Sequence, residues 1–335
     1  MIQRDVVIRE RGCAPPGQPA RQSVAREAGW SIGYGGHVRC DASVSHHPVV
    51  RALADRDPLP DAWVSSYWAH FGRLAQVTCD GTSLAIRPAG YRGLQRASLF
   101  GNWLARKERD SFPQIESGPA FPELWTRAQQ LAGQLGATAG LLAWQSAHAL
   151  SLLTVHVEEP PRSFLIIGDG CGFAGALARG WWPDARLILL DLPRQLMAQA
   201  TLHLALGHNV GAAGSDESIW CVTPDDIGHI DRIDACFSMA CFQELPIAVI
   251  AEYFQLLRSR HARHFYCVSR ERKVLPGGEV IAIQDYPWSD ADRTLIDGPC
   301  PFFTHSYGVR AGWPPIGVRA FEGRMWHRLA HLAPA

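Results

Sequence analysis

Apolar positions along the chain follow two rhythms. In the first part they recur every three or four residues. Ala62, Trp63, Tyr67, Trp68, Phe71 and Leu74 make one such set, and Leu124, Ala128, Leu131 and Leu135 make another, entered through Pro122 and Glu123. That spacing predicts amphipathic helices. Near residue 160 the rhythm changes. Pro160 and Pro161 close the preceding segment, and the apolar run Ser163 to Ile167 ends at a glycine. Further runs follow at 187–190 (LILL), 219–222 (IWCV), 233–238 (IDACFS) and 264–268 (HFYCV). Short runs that are apolar throughout are the signature of parallel strands buried on both faces. Helical stretches at Phe173 to Arg179 and Leu196 to Leu206 separate several of them. Alternating strand and helix predicts an α/β fold, an open doubly wound parallel sheet built with right-handed crossovers. Residues 1–155 are expected to form a mainly helical region, with 1–50 loop-rich, and residues 156–335 to form the doubly wound domain.

Composition narrows the chemistry. With 335 residues, 47% hydrophobic and 19% charged, the chain has the make-up of a folded globular protein and not of a disordered one. Its 32 basic and 32 acidic side chains cancel, so no overall basic excess favours nucleic acid. Only Lys107 and Lys273 are lysines, which leaves few candidates for lysine-based catalysis. Nine cysteines without a C-x-x-C pair suit a reduced, cytoplasmic setting, with Cys236 and Cys241 read as core residues and not as a metal pair. Met1 to Gly12 has no apolar core segment of a secretory signal, and Leu141 to Val157 is too short and too polar to span a bilayer.

The candidate chemistry centres on Leu165-Ile166-Ile167-Gly168-Asp169-Gly170-Cys171-Gly172-Phe173-Ala174-Gly175. A strand that turns sharply into a helix needs residues without Cβ if backbone N–H groups are to approach a ligand. The next strand ends at Asp191, where a carboxylate can hold a pair of ribose hydroxyls. Two cofactors fit. Gly170-x-Gly172-x-x-Gly175 satisfies the dinucleotide fingerprint, whereas Gly168-x-Gly170-x-Gly172 satisfies the looser turn that binds S-adenosyl-L-methionine. Gly168 directly follows the apolar strand, and this registration favours the methyl donor.

The second half of the chain resembles a bacterial group of sugar O-methyltransferases within the class I S-adenosylmethionine-dependent methyltransferases. The resemblance spans Phe164 to Tyr307. It rests on the order of IGDGCGF, LILLDLP, FSMACFQEL, the run Phe265 to Glu271 with Gly277, and Asp285-Tyr286-Pro287-Trp288. It implies a Rossmann-like methyltransferase sheet, a small-molecule carbohydrate acceptor, and donor contacts from Gly168, Asp169, Gly170, Gly172 and Asp191. It also implies a carboxylate near the adenine, for which Asp225 after the third strand is the candidate. One departure stands out: Ile166 occupies the position, two before the first turn glycine, where these enzymes commonly carry an acid that helps hold the amino acid end of the donor.

Methyl transfer needs alignment of the acceptor and, for a hydroxyl, removal of a proton. Glu244, just past the fourth strand, is the first candidate base. His305, set among Phe302, Phe303 and Tyr307, is the second. A helix N-terminal carboxylate for Glu244 and an ordinary structural histidine for His305 are the plain alternatives. No ligand spacing argues for a metal, and a metal-independent reaction on a small molecule, without nucleic acid or membrane, is expected. A homo-oligomer stays open. The rival functions are an NAD-dependent oxidoreductase using the same turn and a catalytically silent scaffold, which Ile166 makes worth carrying.

Overall fold

A computed structural model of the chain describes residues 31–32, 38–56, 63–71, 76–79, 83–87, 94–96, 99–112, 115–309, 316–320 and 323–334. The apolar runs form strands: β1 (Ser163–Ile167), β2 (Arg186–Leu190), β3 (Val210–Ala212), β4 (Ile219–Val222), β5 (Ala235–Met239) and β6 (His264–Arg270), joined by β7 (Arg293–Pro299) and β8 (Met325–His331). They make one eight-stranded sheet in the order β7-β8-β6-β5-β1-β2-β4-β3. Pairing is parallel from β6 to β3, and β8 runs antiparallel to both β6 and β7. The chain order reverses beside β1, which leads to β2 on one side and has β5 on the other. In open α/β sheets such a reversal leaves a crevice at the carboxyl ends of the strands.

Seven helices of eight or more residues are described: α1 (Pro48–Asp55), α2 (Leu99–Asp110), α3 (Phe121–Gln134), α4 (Leu141–His156), α5 (Phe173–Trp181), α6 (Pro193–Ala205) and α7 (Ile247–Ser259). Side chains alternate between the sheet's two faces. Phe164 and Ile166 of β1 join Leu187 and Leu189 of β2 in a core shared with α4, α5 and α6, while Leu165, Ile167, Ile188 and Leu190 pack with Val249, Ile250 and Phe254 of α7. The sheet is therefore covered on both faces, as its unbroken apolar runs require.

The segment before β1, expected to be mainly helical, carries strands as well. It holds a four-stranded antiparallel sheet of Ser31–Ile32, Val38–Asp41, Ser83–Arg87 and Gln76–Cys79, in that spatial order, besides its helices. Strand Val38–Asp41 and the first turn of α1 lie in the stretch expected to be loop-rich, and residues 1–30 are outside the described residues. Helix α4 has no polar face at its centre: every residue from Ala143 to Ser151 is buried. Among the described residues no helix is long and apolar enough to cross a membrane.

Candidate functional site

The turn after β1 is shaped by three positive φ angles, +75° at Gly168, +58° at Gly170 and +86° at Gly172. Each has its own reason to be glycine. A Cβ on Gly168 would lie 2.2 Å from Cys241 Sγ, so the exit of β5 crosses directly against the turn. A Cβ on Gly172 would lie 2.9 Å from Gln199 Cα, where α6 packs. A Cβ on Gly170 would meet nothing within 4 Å and the residue is exposed, so this part of the turn faces open space. Two of the glycines therefore close the turn onto the protein, and the third opens it to a ligand.

Asp169 points inward. Its Oδ1 accepts from the Ala174 N–H at 3.0 Å and its Oδ2 from the Gly175 N–H at 2.6 Å, capping α5. Desolvation pushes this carboxyl up to about 7 against those two donors. Asp191 sits across the turn from it. It accepts from the Leu192 N–H at 2.8 Å and Gln199 Nε2 at 2.7 Å, and from the Gly170 N–H. Desolvation also pushes Asp191 up to about 7, with the Glu244 charge adding to the rise. Gln199 is a residue that sequence reading missed. It is fully buried on α6, and its Oε1 has no hydrogen-bond partner.

Glu244 lies in a short 3-10 turn (Phe242–Glu244) after β5, entered through Ala240 at φ +61°. It is paired with Lys273 Nζ at 3.1 Å and also hydrogen-bonded by Tyr67, and burial raises its pKa despite these partners. Lys273 Nζ sits 3.8 Å from the Tyr67 ring centroid. Lys273, set aside on composition, is thus at the site, and so is Tyr67 from the N-terminal region. That region is held down nearby: Ser66 Oγ donates to Glu279 at 2.8 Å and accepts from the Gly277 N–H at 3.0 Å. Trp63 stacks on Tyr253 with ring centroids 6.3 Å apart.

The remaining expected residues fall apart from this cluster. His305 stacks on Phe112 with centroids 3.9 Å apart, and its ring nitrogens bond Ser111 Oγ at 2.8 Å and Thr304 Oγ1 at 2.9 Å. Desolvation lowers its pKa. These contacts place it against α2 and not beside Glu244. Asp225 is exposed in the turn after β4, whereas its neighbour Asp226 is fixed by Arg56, which also donates to Thr223 Oγ1 at 2.9 Å. Ile166 is 1% exposed in the core on the α4 side, so its side chain cannot meet a donor. Arg270, which ends β6, stays close to the cluster, its N–H donating to Gln243 Oε1 at 2.8 Å beside Glu244, and the half-buried Glu271 faces Arg324 at 3.9 Å. Among the described residues no group of three or more His, Cys, Asp or Glu is placed to hold a metal ion.

No protein-family model matches the chain, and no curated protein matches it in sequence. Solved structures share parts of its arrangement. The geranyl diphosphate C-methyltransferase of Streptomyces coelicolor is 10% identical over 86% of this chain and 99% of its own, with a TM-score of 0.40. A SAM-dependent methyltransferase from Anabaena variabilis is 12% identical over 67% and 98%, with a TM-score of 0.37. The mitomycin 7-O-methyltransferase is 12% identical over 64% and 60%, with a TM-score of 0.36. At such identities and TM-scores neither activity nor substrate passes from these proteins to this chain.

Proposed function

We propose that the chain is an S-adenosylmethionine-dependent O-methyltransferase acting on a hydroxyl of a sugar or glycosylated small molecule. The observation that carries the reading is the open turn at Gly170 beside the Asp191 carboxylate, at the carboxyl end of the strand where the chain order reverses. The buried, unpartnered Gln199 Oε1 next to it is a further acceptor for a donor hydroxyl or amino group. The residues present therefore fit the nucleoside end of such a molecule. S-adenosylmethionine supplies an activated sulfonium methyl, so little covalent chemistry is left for the protein.

The chain's own residues then divide the work. Asp191 and Gln199 receive the ribose, and Gly170 leaves room for its approach. Asp169 holds the turn by capping α5, a positioning role in place of a donor contact. Asp225, exposed beyond β4, is available to an adenine amino group. Glu244, whose raised pKa makes its ionised form a stronger base than an exposed carboxylate, can take a proton from an acceptor hydroxyl, with Lys273 stabilising that ionised form beforehand. His305 is the second base, reached only by an acceptor that extends toward α2. With Ile166 in the core, the amino acid end of the donor must be held by backbone N–H groups or the N-terminal region. The carbohydrate acceptor rests on the sequence resemblance, and the aromatic rings of Trp63 and Tyr67 suit a sugar face. The free cysteines at seven described positions accord with a cytoplasmic location.

The dinucleotide alternative meets an obstacle in topology. A dinucleotide fold places a third parallel strand outside the fifth, in the order 3-2-1-4-5-6. Here that place, next to β6, is taken by the antiparallel β8. Calorimetric titration with S-adenosylhomocysteine and with NAD tests the assignment: binding of the first alone is expected, and binding of NAD alone overturns it. Turnover in a screen of glycosylated acceptors separates an enzyme from a silent scaffold.

A further inference from the structure

We propose that the cleft at the amino-terminal edge of the sheet is a binding site for a phosphate-bearing small molecule. This cleft, of about 460 Å³, is remote from the glycine turn. It is reached from Arg162 just before β1, from the first residues of β6 and β7, and from the last residues of β8 and α4. The length of β1, roughly 16 Å at about 3.3 Å per residue, separates the two ends.

The positive groups are set by strand register. His264 of β6 pairs with His331 of β8, which pairs with Arg293 of β7, so three cationic or potentially cationic side chains form one rung across adjacent strands. Side chains directly opposite one another point to the same face. Arg263, beside His264, and Arg162 add to the cleft, and Arg162, Arg263 and Arg293 make no ion pair with any described residue. Arg232 is oriented from below: its Nε binds Asp234 Oδ1 at 2.7 Å, which leaves its terminal nitrogens for another partner.

Three carboxylates, Asp234, Glu158 and Glu159, also line the cleft, against the four guanidiniums of Arg162, Arg232, Arg263 and Arg293. Asp234 is spent on Arg232 and on the N–H groups of Arg162 and Ser163, at 2.8 and 3.1 Å, and Glu158 and Glu159 are exposed. His264 registers the result. Its pKa is pushed down to about 4, first by burial and then by repulsion from His331, His156, Arg263 and Arg293. One guanidinium is enough for the two oxygens of a carboxylate, whereas guanidiniums arriving from several strands need more acceptor oxygens and more charge. A phosphate monoester or diphosphate meets that need.

The test uses the full chain and inorganic pyrophosphate. Calorimetry at neutral pH should give saturable binding, weakened at least about tenfold in the double variant Arg162→Ser/Arg293→Ser. Both positions are exposed, and an unchanged circular dichroism spectrum and denaturation midpoint in that variant check that the fold is intact. In the same protein, the His264 imidazole followed by NMR should titrate at a higher pH once pyrophosphate is added, because the bound anion favours the charged ring. Absence of saturable binding at millimolar pyrophosphate, equal affinity in the variant, or an unmoved His264 midpoint would each overturn the proposal. The outcome is independent of the donor assignment, which concerns the other edge of the sheet.

Discussion

Replacing Asp191 with asparagine asks whether the turn beside it seats a nucleoside. The carboxylate has roughly four acceptor positions. Three are used inside the protein, by the N–H groups of Leu192 and Gly170 and by Gln199 Nε2. About one position remains for a ribose hydroxyl. A hydrogen bond to a charged acceptor is worth about 1.5–3 kcal/mol, so Asp191→Asn should weaken S-adenosylhomocysteine by roughly 10- to 150-fold. The sign of the pH dependence follows from the same group. Free Asp191 sits at about 7, and a hydroxyl donating to it favours the ionised form, so binding lowers its pKa and releases a proton. Affinity should therefore fall as pH drops through about 7, by up to about tenfold per unit, and Asp191→Asn should flatten the profile. Titration calorimetry between pH 5.5 and 8.5 reads both effects. Wild-type affinity in the variant, or a slope of opposite sign, would refute the reasoning.

Three other outcomes follow. Gly168→Ala drives a Cβ against Cys241 and should cost roughly 2 kcal/mol or more, whereas Gly170→Ala, with open space around it, should cost only the roughly 1–2 kcal/mol of a left-handed conformation while still impairing donor binding; chemical denaturation and calorimetry on both variants check this. Glu244→Gln or His305→Ala should lower turnover of a cognate acceptor at near wild-type donor affinity, and full activity in both variants would leave alignment as the protein's main contribution. Asp292, 3% exposed in its side chain, binds Arg258 through two contacts at 2.7 and 2.8 Å; burial pushes its pKa up, but Arg258 together with the Ser289 and Ala333 N–H groups holds it below the usual carboxylate value. The stability it adds is present above the unfolded carboxyl value and lost as pH falls below it, so Asp292→Asn should cost about 3 kcal/mol near neutral pH and progressively less under acid, as denaturation midpoints will show.

Much of the doubly wound sheet was legible because its strands are buried on both faces and are apolar throughout. Ser163–Ile167 and Ile219–Val222 match the expected runs residue for residue. Strand β8 escaped notice because Met325, His327 and Leu329 alternate with more exposed Trp326 and Arg328, and its antiparallel place beside β6 follows from no local signal. Helix α4 gave no helical rhythm for the opposite reason, since buried sides all round erase the period. In the site, Gly168, Gly170, Gly172 and Asp191 were readable from strand and turn grammar alone. Gln199, Lys273 and Tyr67 were not: Gln199 lies 8 residues beyond Asp191 on the next helix, and Lys273 and Tyr67, 82 and 124 residues from Asp191, come to Glu244 only through tertiary packing.

The same helix α4 bears on how the molecule comes apart. A helix with a single apolar stripe can detach from one neighbour and keep its other face in water. Helix α4 has no such face at its centre, and its core is continuous from Cys40 in the N-terminal sheet to Leu329 in β8. Peeling the N-terminal layer away would leave α4's apolar flank in solvent, a state favoured by neither half. Layer and sheet are thereby bound into one cooperative unit, so heating or denaturant should give a single transition seen alike by tryptophan fluorescence and circular dichroism.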